Sequence, residues 1–219
     1  MRWIDRVRQD AATLKTLEGG KKKRQFLWDY YKLPIGAVLC AAALVVLTMT
    51  LNLGRGDNVM YAVLVNASDT GEKQVFTTLL EEAGVDMAGK EVDVAASYTL
   101  LYDPTSLTDG DTVQVLAALF GIGDLDVFAA DEPVFTSYAE QDAFVDLSLF
   151  IEPEDLEKHD LYTCTTEDGN EIVAGIWLHE GSPLHEAGYY TGDVVIGVAA
   201  NAQNLDPAVE FMKSLAANY

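Results

Sequence analysis

The sequence predicts an α/β domain, a single mostly parallel sheet flanked by helices, carried behind one transmembrane helix. Three observations predict it. From Val59 onward, short apolar runs rich in β-formers alternate with amphipathic helical stretches. Residues 33–54 hold no charge and have the length of a bilayer span. The charge also reverses across that stretch. Before it, Arg2, Arg6, Arg8, Lys15, Lys21, Lys22, Lys23, Arg24 and Lys32 outnumber Asp5, Asp10, Glu18 and Asp29. After it the balance is so acidic that the whole chain of 219 residues carries a formal charge of −21. An acidic domain of this kind repels nucleic acid and anionic lipid, which argues against both as its partners.

Residues 1–32 form a basic cytoplasmic segment. Within it Trp3, Ile4, Val7, Ala11 and Leu14 recur at helical spacing between arginines. The pattern suits either an amphipathic helix on the inner leaflet, ended at Gly19-Gly20, or an unstructured tail. Residues 33–54 would span ~33 Å as a helix, matching a hydrocarbon core of ~30 Å. A cleaved signal peptide fits less well, since 32 residues precede the run and no A-x-A-like site follows it. Lys21 to Arg24 and Lys32 lie on one side and Arg55 alone lies close on the other, so the N-terminus is expected inside and the domain outside the cell. Trp28, Tyr30 and Tyr31 suit headgroup depth. Cys40 follows Leu39 rather than a small residue, which argues against lipid attachment. Cys40 and Cys164 fall in different media, so no disulfide is expected.

Residues 55–58 form a short linker, and 59–219 form the outer domain. Val59 to Val65 reads as a buried strand, Asn66 to Gly71 as a turn, and Glu72 to Ala83 as a helix stopped by Gly84. Val92, Val94, Ala96 and Tyr98 alternate as a half-buried strand would. Asp103 to Gly110 reads as a loop, and Asp111 to Phe120 as a helix with Val113, Leu116, Leu119 and Phe120 inward. Leu125 to Ala130 is the next strand. Asp131-Glu-Pro133 opens a helix expected to reach about Ala143. Phe144 to Phe150 supports no single assignment, and Pro153 to Lys158 is one short helix. Leu161 to Thr165 and Glu171 to Leu178 flank Glu167-Asp-Gly-Asn170, a hairpin signal that requires one antiparallel strand. Gly181 to Gly192 reads as irregular, Asp193 to Ala200 as a central strand, and Asp206-Pro207 starts a last helix burying Val209, Met212, Leu215 and Ala216.

Two resemblances follow from these residues. Gln25 to Ile35 resembles the juxtamembrane stretch of small membrane-anchored proteins of Gram-positive bacteria. Leu125 to Leu147 and Asn201 to Leu215 resemble the extracellular solute-binding proteins of ABC importers, in which a strand leads into a helix and an Asn/Ser-rich turn into another. The resemblance implies one lobe of such a receptor, without catalysis, that binds a small solute or a protein partner. Three departures stand out: length for a single lobe, a spanning helix in place of a lipid-anchored cysteine, and no glycine in the turn Gln141-Asp-Ala-Phe144.

Chemistry-bearing motifs are sparse, and neither metal nor cofactor is expected. His179 and His185 lie six residues apart with Gly181 and Pro183 between, whereas a helical zinc pair needs four. Asp103 to Asp111 and Asp124 to Glu132 lack the glycine and terminal glutamate of a calcium loop and read as solvated acidic surface. Cys164 has no basic neighbour and reads as an inert thiol. In open α/β sheets ligands bind beyond the carboxyl ends of the strands. Those ends nominate Ser68 and Asp69 (with Asn66), Tyr98, Asp131 and Glu132, whose other role would be to form turns and cap helices. The alternative function is a structural or accessory subunit of a membrane complex, with a membrane-protein partner and no ligand of its own.

Overall fold

The computed structural model describes residues 57–103, 106–107 and 110–219. The basic segment, the 33–54 span and the start of the linker lie outside the described residues. No helix among the described residues is long and apolar enough to cross a membrane.

Six strands make one sheet: β1 (Asp57–Val65), β2 (Lys90–Tyr98), β5 (Val127–Ala130), β6 (Leu161–Thr165), β7 (Glu171–Leu178) and β8 (Val194–Val198), in the order β2-β1-β5-β8-β7-β6. The short pieces β3 (Tyr102–Asp103) and β4 (Ser106–Leu107) pair with each other. The helices are α1 (Gln74–Glu82), α2 (Gly110–Ile122), α3 (Glu132–Ala139), α4 (Pro153–Leu156), α5 (Pro183–Glu186) and α6 (Leu205–Asn218).

The α/β class and the flanking helices agree with the sequence reading, but the sheet is mixed rather than mostly parallel. β1 pairs parallel with β2 and β5, whereas β5–β8, β8–β7 and β7–β6 are all antiparallel. The reason lies in the connections. A parallel crossover needs a dozen or more residues, usually with a helix long enough to cover the sheet. Between β7 and β8 the only helix is the single turn α5, so the chain returns antiparallel.

Both sheet faces are covered, which is why β5 and β8 are buried at every position. On one face Met60, Ala62 and Leu64 of β1 meet Phe76 and Leu80 of α1 and Phe211, Met212 and Leu215 of α6. On the other, Val63 and Val65 meet Leu116 of α2 and Val134, Phe135 and Tyr138 of α3. The two-residue alternation along β1 sends successive side chains to opposite layers.

Three local expectations are corrected. α3 stops at Ala139, not near Ala143, because the chain turns through Asp142 with φ at +54° before Phe144 bridges to Ala199. Gly181 to Gly192, read as irregular, contains α5. Asp126 is no part of a solvated acidic surface: it is fully buried.

Candidate functional site

The parallel strands β1, β2 and β5 do bring their carboxyl ends to one edge. Asn66 is the hub. It adopts a left-handed backbone (φ +58°), a conformation asparagine tolerates because its short side chain can bond locally. Its backbone N–H donates to the Tyr98 carbonyl at 2.9 Å. Its side-chain amide donates to the Leu100 carbonyl and to Asp131 Oδ1, both at 2.8 Å, and its Oδ1 accepts from the Leu100 N–H at 2.9 Å. Asp131 precedes α3 but makes no side-chain capping bond. Its carboxylate serves Asn66 instead, which binds the ends of β1 and β5 together.

The other nominated residues are placed as follows. Ser68 is held by its N–H to the Tyr189 carbonyl at 2.7 Å, and its hydroxyl lies 2.7 Å from that of Thr70. Asp69 is exposed at the tip of that turn. Tyr98 is half-buried, and its side chain hydrogen-bonds Tyr61, whose phenol is raised by burial first and by that bond second. Glu132 is exposed and faces a groove along α3 with Pro133, Thr136 and Glu140. Asn66, Tyr98 and Asp131 thus meet through the turn network, while Glu132 points elsewhere.

Sequence reasoning missed Tyr190, from the segment read as irregular. Its buried hydroxyl lies 3.0 Å from both the Val65 and the Ala129 carbonyl oxygens. These are the final turns of β1 and β5, between which the strand order reverses and where a ligand crevice would open. Burial, and then Asp131, raise the Tyr190 phenol well above its ordinary value, so it stays protonated. The crevice floor is therefore filled by the chain's own side chain, and the strand-end edge is a capped surface. No signal in the sequence marks this, because Tyr190 lies 125 residues from Val65 along the chain.

The two loop histidines do not converge. His185 Nδ1 lies 2.6 Å from Ser182 Oγ and its Nε2 2.8 Å from the Gly192 carbonyl, which is a local turn. His179 sits between Asp193, 3.0 Å from Nδ1, and Asp160, 3.1 Å from Nε2. Among the described residues no group of His, Cys, Asp and Glu is arranged to hold a metal ion. Asp193 first, and then Asp160, raise the His179 pKa above its ordinary value. A raised histidine contributes stability that is complete below the unfolded value of ~6.5 and is lost as pH climbs through the folded value. All three side chains are substantially exposed, so the effect is small, below ~1 kcal/mol. Between pH 6 and 8 the melting temperature of His179→Gln is expected to vary less than that of wild type. Parallel pH profiles for the two would sink this account.

Cys164 is partly buried, with Sγ 4.0 Å from the Ala139 carbonyl, and burial raises its thiol, which fits an unreactive cysteine. Comparison with protein-family models, with curated proteins and with solved structures finds no match to this chain.

Proposed function

We propose that this chain is a membrane-tethered, non-catalytic extracellular domain, like one lobe of a solute-binding protein, that engages a protein partner or a small solute at the cell surface. The observation that carries the reading is the shared edge where β1, β2 and β5 end, organised by Asn66 and Asp131 and floored by Tyr190. The filled floor favours a surface contact over an enclosed ligand. Most perturbed groups move away from neutral pH: burial raises the Tyr61, Tyr138, Tyr162, Tyr189 and Tyr190 phenols and the Cys164 thiol, and only His179, exposed between Asp193 and Asp160, moves the other way among the described residues. Catalytic acids and bases are tuned toward neutral pH, not away from it. The tether rests on the uncharged 33–54 run and the lysines before it.

A thermal-shift screen of the full chain against sugars, amino acids and short peptides tests the binding reading. One class should raise the melting temperature by mass action, and Asp69→Ala with Tyr98→Ala should remove the shift. An undiminished shift in that double variant rejects the strand-end edge. For the tether, protease added to intact cells should digest the acidic domain, and protection until lysis would refute an external location.

A second reading, an accessory subunit of a membrane complex, draws on α2. From Thr112 to Gly123 no residue is charged, and Val115 and Ile122 of that helix are exposed, the latter at 62%. With the exposed Ala118 they form one apolar stripe along the helix, which suits a protein contact. Under this reading a membrane protein co-purifies with the wild type and not with Val115→Asp/Ile122→Asp.

A further inference from the structure

At the amino-terminal edge of β5, opposite the strand-end turns, a cavity of about 230 Å³ opens between α2, the end of α3 and the segment after β8. Ala117, Phe120, Tyr138, Ala143 and Ala200 give it an apolar side, and Gln141, Asp142 and Asn201 give it a polar one. Its one carboxylate, on Asp142, already accepts the Glu167 N–H, at 3.2 and 3.3 Å to its two oxygens. Tyr138 is 6% exposed, and its hydroxyl is shut from solvent and hydrogen-bonds to nothing. Buried hydroxyls are nearly always partnered, so an orphan beside a cavity calls for a function. Packing does not require it: the ring stacks on Phe120 at 5.0 Å and tilts against Phe128 at 5.3 Å, contacts that phenylalanine would also make. Burial holds the Tyr138 phenol up at about 12, so at neutral pH it keeps its proton and can donate.

Phe120 covers this ring from α2, a helix in which only Leu116 is fully buried. A cover carried by so lightly seated an element can yield to a ligand. The rings and alanines beside Tyr138 favour an apolar body, Asp142 already accepts an N–H, and the acidic excess of the domain disfavours anions. We propose that this cavity binds a small uncharged molecule with an apolar body and one carbonyl-type oxygen, which accepts the hydrogen bond of Tyr138. The proposal is independent of the strand-end edge, which lies across the sheet.

The test uses the full chain labelled with 4-fluorophenylalanine, following the fluorine resonance of Phe120. The probes are acetophenone and α-methylstyrene, in which a methylene replaces the carbonyl oxygen at nearly the same shape. Acetophenone should shift the resonance saturably. Tyr138→Phe should weaken it about tenfold, the value of one hydrogen bond, while leaving α-methylstyrene unchanged. Ala117→Trp should block both probes, and Asp69→Ala should alter neither. Tyr138→Phe should also melt no lower than wild type, because its hydroxyl has no bond to lose. The proposal is overturned by a non-saturating acetophenone titration, by equal acetophenone affinity in wild type and Tyr138→Phe, or by a lower melting temperature of that variant.

Discussion

Replacing Asp126 with alanine is expected to destabilise the domain by about 3–5 kcal/mol and to lower its melting temperature by roughly 6–20 °C. Asp126 is fully buried, and no cation lies against it among the described residues. Three N–H groups neutralise it instead: Tyr61 N at 2.8 Å and Asn204 Nδ2 at 3.0 Å on one oxygen, Asn204 N at 2.9 Å on the other. Its own backbone donates to the Tyr61 carbonyl and accepts from the Ala199 N–H. One residue therefore joins β1, the end of β8 and the start of α6. Truncation leaves three part-buried donors with no acceptor, and each bond to a charged group contributes ~1.5–3 kcal/mol. Asp126→Asn should also destabilise, because an amide presents hydrogens to donors that require two acceptor oxygens. Denaturant unfolding would settle it. If Asp126→Leu proved as stable as wild type, the carboxylate could not be the organising group.

Phe135→Ala is expected to cost about 3–5 kcal/mol, the range for emptying a buried aromatic site. The ring is fully buried, stacks on Phe144 at 4.2 Å with planes 3° apart, and meets Tyr162 edge-on at 5.1 Å. It lies over Gly175 of β7 and Gly197 of β8, where an added Cβ would come within 3.0 Å of its Cζ. Glycine inside a central strand ordinarily weakens it, and here the missing side chains make the seat for the ring. Gly197→Ala should therefore be severe as well, since the new carbon would also stand 2.4 Å from the Ala174 carbonyl oxygen. Phe135→Leu should rescue Gly197→Ala only in part, because the backbone clash remains. A double-mutant cycle measures this coupling; full additivity would show that ring and glycines do not share the seat.

Much of the fold was legible in the residues. The apolar run of β1, the Phe76–Leu80 face of α1, the Asp-Gly hairpin between β6 and β7 and the final helix all follow from periodicity and turn chemistry, which are local. The direction of β8 was not legible, because an apolar run of five reads the same in a parallel or an antiparallel ladder. The end of α3 is hidden in the sequence because Asp142 takes the left-handed turn that a glycine would have announced. At the candidate site, the positions of Asn66, Tyr98 and Asp131 could be placed at strand ends, but not the filling of the crevice between them by Tyr190.

The amino-acid sequence by itself determined most of the longer strands and helices, the α/β class and the acidity of the domain, because periodicity, caps and charge act over a few residues. Only the tertiary structure decided the strand order, the buried role of Asp126, the glycine seat of Phe135 and the cavity beside Tyr138. Each of these joins groups far apart in the chain, and what brings them together is the burial of both sheet faces at once, which no local pattern encodes.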